Sequence, residues 1–304
     1  MQLRPEDDEL YKSKYRDKFD EFPLPETYKP FRGKKSQRLP EEIWNGVILP
    51  SYDYVNKPVY LRERMVRIGQ TVTGVDRMIG HVREELKRLN LDDNTIIVFS
   101  TDHGIHHGEH GLGGKCFLYE EDLHIPLIIY DPRLPEELQG QKRDEMVVVP
   151  DLAPTVMELT DTEVPETMDG ESLLPLIKDT AQNWRKDFFA EQLMDIQNYP
   201  KSECIRSKDW KYIRYFHRTE DPAQKDLLFR GTLDNYNDFL NGSLNGKIKP
   251  GYEELFHLKE DPYEKNNLAL NPDYEEKLKE MRHRLIKRGK EVKKPEGEPL
   301  TLDL

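Results

Sequence analysis

The stretch that most constrains this chain runs from Thr95 to Lys115: Thr-Ile-Ile-Val-Phe-Ser-Thr-Asp-His-Gly, then Ile-His-His-Gly-Glu-His-Gly-Leu-Gly-Gly-Lys. Its uncharged β-branched and aromatic residues predict a short buried strand that stops abruptly at polar and glycine residues. In open α/β sheets ligands bind beyond the carboxyl ends of strands, and the loops there carry function. Here Asp102 and His103 stand at that end, and a glycine-rich loop with His106, His107, His110 and Lys115 follows. The expectation is an α/β fold with a site at the strand end.

Upstream, Leu61, Met65, Ile68, Val72, Val75, Ile79, Val82, Leu86 and Leu89 keep a 4-3-4-3 spacing, which predicts one long helix ending at Asn90. A coiled coil would share that spacing. Gly69, Gly74 and Gly80 weigh against it, since each costs about 1 kcal/mol of helix propensity and is kept more readily where a helix must approach a sheet closely. Leu91 to Asn94 then turn the chain into the Thr95 strand, completing an α-to-β unit.

Cys116 to Asp122 read as a short helix or turn, and Ile125 to Tyr130 as a second buried strand. Asp151 is the expected N-cap of a helix reaching Leu159. Residues 1–57, broken by Phe-Pro-Leu-Pro, Lys-Pro and Leu-Pro, carry no periodicity and predict extended chain or short helices. Composition shifts near Lys178, so residues 1–178 are expected to form the α/β part and 179–304 a small α+β unit. Its strand candidates are Asp187–Gln192, Glu203–Ser207, Lys211–Phe216 and Glu254–Leu258, the middle two joined as a hairpin. Asn271-Pro-Asp opens a last helix with a capping Asn, and Lys287-Arg-Gly-Lys reads as its C-terminus. Tyr274, Leu278, Met281 and Leu285 should face the antiparallel sheet.

The formal net charge is −12, from 46 Lys+Arg against 58 Asp+Glu, with no basic patch; nucleic acid and anionic membranes are poor partners for such a surface. The two cysteines, Cys116 and Cys204, imply neither a disulfide framework nor a cysteine zinc site. No apolar run approaches the roughly 20 residues of a membrane span.

Asp102 and His103 offer one hard oxygen donor group and one nitrogen, too few for Ca²⁺, which takes 6 to 8 oxygens, so further ligands must come from elsewhere. Lys115 is a point cation of the kind that holds sulfate or phosphate oxygens. Blander readings stand beside these: Asp102 as a helix cap, Lys115 as a solvated side chain, and the histidines as loop surface or a zinc cluster. No His-Glu-x-x-His spacing is present.

The Thr95–Gly104 motif, with Gly-Glu-His-Gly and Gly-Lys after it, closely resembles the second half of the sulfatase family in the alkaline-phosphatase-like superfamily. Further matches follow in that family's order: Val75-Asp-Arg-Met-Ile-Gly80, Tyr119-Glu-Glu with His124-Ile-Pro-Leu-Ile-Ile, Asp151-Leu-Ala-Pro-Thr155, Asp169-Gly-Glu-Ser-Leu-Leu-Pro-Leu176, Arg206 to Tyr215, and Glu254 to Leu268. They run from about residue 55 to the last helix. The resemblance implies part of an alkaline-phosphatase-like central sheet flanked by helices, with a C-terminal antiparallel sheet and closing helix. It implies that Asp102 and His103 help bind a divalent metal, usually Ca²⁺. Lys115 would contact the sulfate and its bridging oxygen, and His106, His107, Glu109 and His110 would lie near the pocket. His124 stands where relatives often carry Arg.

The formylglycine motif of sulfatases, Cys/Ser-x-Pro/Ala-x-Arg, is not in this sequence, because Cys116 precedes Phe-Leu-Tyr-Glu and Cys204 precedes Ile-Arg-Ser-Lys. Asp7-Asp8 follow no apolar strand and are not read as the family's first metal pair. The expectation is therefore a sulfate ester hydrolase represented by its C-terminal part, truncated, without a nucleophile and inactive alone. A phosphatase, phosphodiesterase or phosphonate hydrolase of the same superfamily, or a non-catalytic remnant, are the alternatives. A sulfated small molecule or carbohydrate is the implied ligand, and an exposed sheet edge implies self-association. With no signal peptide in the chain the default location is the cytoplasm, although family members are often exported.

Overall fold

A computed structural model describes residues 14–30, 38–44, 55–193, 199–217 and 233–292. Asp7, Asp8 and the polar tail after Val292 lie outside these residues. The helices are α1 (Glu41–Trp44), α2 (Pro58–Arg88), α3 (Glu120–Leu123), α4 (Leu152–Leu159), α5 (Leu174–Ile177), α6 (Leu233–Leu244) and α7 (Glu275–Val292). The strands are β1 (Ile97–Ser100), β2 (His106–His107), β3 (Gly113–Gly114), β4 (Leu127–Tyr130), β5 (Asp187–Gln192), β6 (Ser202–Ser207), β7 (Trp210–Tyr215) and β8 (Tyr252–His257). The mixture is α/β, and contacts divide it into two compact units.

The first unit comprises Met1–Arg38, Leu49–Lys115 and Glu121–Gln139. Pro58 opens α2 at a position where its missing N–H costs nothing, and the helix runs 31 residues. The expected helix is present, but its apolar stripe is not a buried face. Only Leu61, Val66 and Gln70 are buried, whereas Val72, Val82 and Leu89 are exposed. Nor does Gly80 mark a close approach, for a Cβ there would meet nothing within 4 Å. β1 pairs antiparallel with β4, Val98 opposite Ile129 and Phe99 opposite Ile128. Their apolar composition predicts two buried strands, yet neither has a buried residue, because no further described strand joins this two-stranded sheet.

The second unit comprises Leu39–Ile48, Cys116–Glu120 and Gly140–Leu304. Its four-stranded antiparallel sheet has the order β5-β6-β7-β8. The register aligns Phe189, Ile205, Tyr212 and Leu255 in one row. Against it α7 lays Leu278, Met281 and Leu285, with Tyr274 packed alongside, as the spacing of those residues predicts. Asn271 caps the start of this segment, its side chain accepting the Asp273 N–H. Gly289 does not end the helix. It is buried within it, and a Cβ there would come 2.6 Å from Leu244 Cδ2, so glycine serves close packing instead of termination.

Opposite α7 the sheet carries the row Arg206, Lys211 and Phe256, with Cys204, Ile213 and Glu254 beside it. Tyr119 O–H donates to Glu254 at 2.7 Å and Tyr215 O–H to the same oxygen at 3.1 Å. Asp151 is buried, but its carboxylate does not cap α4. It accepts the N–H groups of Val148 and Glu171, at 2.8 and 2.9 Å, and pairs with the Arg185 guanidinium.

Candidate anion site at the end of the first strand

Where β1 ends, the chain loses its apolar residues and Asp102 emerges with its side chain 80% exposed. Thr101 donates to Asp102 Oδ1 at 3.2 Å, and the His103 backbone N–H donates to the same oxygen at 3.0 Å. His103 Nε2 lies 3.2 Å from Asp102 Oδ2. The slight desolvation of the Asp102 carboxyl opposes ionisation, but His103 and these donors outweigh it and hold the pKa below the ordinary aspartate value.

From there the chain enters the β2-β3 hairpin, with His106 opposite Gly114 and His107 opposite Gly113. Lys115 follows at its far end, and the hairpin returns it to within 2.5 Å of the His103 ring, Nζ to Nε2. Three of the residues expected to carry chemistry, Asp102, His103 and Lys115, therefore stand together, facing solvent. Two basic side chains and a carboxylate held by backbone donors make a polar cluster suited to an oxyanion, with Lys115 as the compact charge.

The loop histidines go elsewhere. His106 is 0% and His110 3% exposed, and His107 is partly buried. His106 Nδ1 lies 3.1 Å from Asp122 Oδ1, while His110 Nε2 is 3.6 Å from Glu121 Oε1. Burial disfavours the His106 cation, yet Asp122, Glu121 and Glu109 together raise its pKa above the usual histidine value. Burial, reinforced by Arg64 and His106, lowers His107 to about 4. It also lowers His110, against the pull of Glu121, and raises Glu109. Sequence reasoning misses Glu121, Asp122 and Gly104 as site residues. A carboxylate 16 positions from its histidine leaves no periodic signal, and only the Glu-Glu-Asp run of α3 hints at it.

Asp102 and His103 supply two side chains, and among the described residues no group of three or more His, Cys, Asp or Glu is arranged to hold a metal ion. These residues do not by themselves make the 6-to-8-oxygen shell of Ca²⁺. Cys204 does not offer an activated nucleophile, because it is buried and burial pushes its thiol up to about 12; Cys116 is a partly buried thiol outside any disulfide.

The sulfatase family model matches residues 8–162, and a second model, N-sulphoglucosamine sulphohydrolase, C-terminal, matches residues 108–228. The first match begins well before residue 55, so the likeness also takes in the proline-broken N-terminal stretch. An ulvan-active sulfatase of Formosa agariphila is 30% identical over 215 residues, covering 69% of this chain and 40% of that protein. An N-acetylglucosamine-6-O-sulfatase of Bacteroides thetaiotaomicron is 30% identical over 252 residues, covering 82% of this chain and 38% of that protein. A solved structure of a protein in complex with its substrate, D-glucosamine-2-N,6-O-disulfate, superposes with a TM-score of 0.58 at 26% identity. The overlap covers 82% of this chain and 45% of that one. The chain thus spans about two fifths of the length of the curated relatives it matches.

Proposed function

Because this chain belongs to the sulfatase family, we propose that Asp102, His103 and Lys115 form part of a site for the sulfate group of a sulfated carbohydrate, in the service of sulfate ester hydrolysis. The observation that carries the reading is the closure of the hairpin, which brings Lys115 Nζ within 2.5 Å of His103 across twelve residues of chain. A cation held there neutralises sulfate oxygens and stabilises the negative charge that grows on the bridging oxygen as the S–O bond breaks. Because Lys115 is exposed, that stabilisation strengthens only when bound substrate excludes water.

Asp102 and His103 are proposed as contributors to a divalent-metal shell, with calcium the ion suggested by family resemblance. When bound, such an ion would add positive charge for the sulfate oxygens. The buried His106 and His110, and the partly buried His107, support the loop from within in this reading. A sugar as the rest of the substrate is supported by the relatives, whose names specify glucosamine sulfates and ulvan.

Calorimetric or NMR titration with glucosamine 6-sulfate, and with unsulfated glucosamine as control, tests the reading. The sulfated sugar should bind, and Lys115→Ala should weaken it at least tenfold without moving the melting temperature. Equal binding of both sugars, or an unchanged affinity in Lys115→Ala, would count decisively against the site.

A further inference from the structure

We propose that His106 and Asp122 are a positioning pair for the His103–Lys115 end of the hairpin; the proposal rests on the reading of Lys115 as a sulfate contact. Asp122 grips the strand entering the hairpin twice. Its side-chain Oδ1 takes the His106 ring Nδ1 at 3.1 Å, and its backbone carbonyl accepts the Gly104 N–H at 2.9 Å. Asp122 is 7% exposed and His106 0%, so the side-chain contact is made away from competing water.

Gly104 shows how tightly this grip is drawn. A Cβ at that position would lie 1.8 Å from the Glu121 carbonyl oxygen and 3.2 Å from Asp122 Cα, so the segment leading into β2 rests directly on the α3 backbone. His103, one residue earlier, turns its Nδ1 to the Gly104 carbonyl at 2.7 Å. The ladder from His106 to Gly114 then fixes the returning strand, whose next residue is Lys115. A chain of contacts therefore runs from the buried pair to both exposed ends of the hairpin. Releasing the pair lets residues 103 and 115 separate while their own side chains remain intact.

The charge surroundings suit this role. Around His106 stand Asp122 at 3.1 Å and Glu121 at 3.9 Å, while His110 stacks edge-on at 6.4 Å between centroids. A protonated His106 donates to Asp122, and a ring that turned away would give up that charge-assisted bond in a buried site.

Two variants separate positioning from packing. Asn presents an N–H where imidazole Nδ1 sits, so His106→Asn keeps the donor, whereas His106→Leu keeps only bulk. The first readout needs no ligand: the exchange rate of the Gly104 amide by NMR. The second is the affinity for glucosamine 6-sulfate, with the melting temperature as control.

His106→Leu should speed Gly104 exchange at least tenfold and weaken sulfated-sugar binding by a similar factor. His106→Asn should restore both towards the wild-type values. Unchanged Gly104 exchange in His106→Leu overturns the pair, whatever happens to the ligand. Faster exchange with undiminished affinity overturns its positioning role. Faster exchange in a protein whose wild type binds no sulfated sugar overturns the sulfate reading instead, and leaves the pair as a clamp on the hairpin.

Discussion

Lys211 and Glu264 meet 2.8 Å apart on the sheet face opposite α7, and neither side chain reaches solvent. The same ammonium lies 2.7 Å from Glu120, which also takes the Arg206 guanidinium at 3.1 Å. Glu264 in turn accepts the backbone N–H of Glu120 at 2.7 Å. Two carboxylates around one lysine do not share its charge equally. Burial raises Glu264 to about 7 against the attraction of Lys211, whereas Lys211 and Arg206 overcome burial at Glu120 and lower it to about 2.

These opposite displacements fix the sign of the pH dependence. Between about 2 and 4.5 the folded Glu120 has lost a proton that the unfolded chain keeps, so stability rises with pH. Between 4.5 and about 7 the folded Glu264 keeps a proton that the unfolded chain has lost, so stability falls as pH rises. A tenfold change in proton affinity on folding corresponds to about 1.4 kcal/mol, enough to move a denaturation midpoint. Urea midpoints of this unit should decline from pH 5 to 7.5, and Glu264→Gln should flatten the decline. A wild-type midpoint that rises over that range contradicts the assignment.

Removing the lysine should cost far more than removing a surface counterpart. Lys211→Met takes the ammonium from the buried Glu264 and leaves Glu120 with Arg206 alone, and breaking a buried pair costs about 3–5 kcal/mol. The double variant Lys211→Met/Glu264→Gln should recover at least about 1 kcal/mol of that in urea unfolding, since contacting residues couple. By contrast Lys279→Met, on an exposed pair with Glu276, should leave the urea midpoint close to that of the wild type. A loss in Lys211→Met no larger than that of Lys279→Met would show that the buried network contributes little.

How much of this is legible in the residues alone depends on what each signal encodes. The 4-3-4-3 spacing encodes the long helix, because periodicity reports local geometry; it says nothing of what covers Val72 or Val82, since a stripe names no partner. The strand ending at Asp102 is readable from its abrupt loss of apolar residues. The return of Lys115 to His103 depends on the turn conformation of Gly108, His110, Gly111 and Gly114, all at positive φ. Gly289 reads as a terminator and is not one, since one residue type serves both chain reversal and close packing. The helix α6 escapes a sequence reading because Asn- and Asp-rich Leu-Asp-Asn-Tyr-Asn-Asp scores as loop. Contacts such as Glu120 with Lys211 join residues far apart in the chain and leave no mark at either position.

Two glycines should answer in opposite ways to alanine. Gly104→Ala drives a methyl to within 1.8 Å of backbone oxygen, which no side-chain rotation relieves. The loop must move, and a cost of at least about 2 kcal/mol is expected. Gly80, inside α2, has nothing within 4 Å of a new Cβ, so Gly80→Ala should stabilise by up to about 1 kcal/mol through helix propensity and unfolded-state entropy. Thermal melts of both variants test the pair of signs. Gly104→Ala melting with the wild type would mean that the strand is not pressed on α3.

The first unit leaves apolar surface uncovered in a pattern that predicts association. Met78 and Val82, four apart on one face of α2, are 55% and 50% exposed, and Leu89 at its C-cap is 47% exposed. In the β1-β4 sheet Ile128 is 60% exposed, Tyr130 41% and Val98 37%. Since Ile128 and Val98 point to opposite faces of that sheet, neither face is fully covered by the residues described, and exposed apolar faces and strand edges recruit other chains. The protein should therefore self-associate with rising concentration in sedimentation velocity. Ile128→Lys should shift the distribution towards monomer and change the melting temperature little, because the side chain it replaces is already mostly in water. Val66→Lys, which buries a charge in place of a fully buried side chain, should instead unfold the unit. A wild-type protein that sediments as one monomeric species throughout, or an Ile128→Lys variant that associates as strongly, would locate the adhesive surface elsewhere.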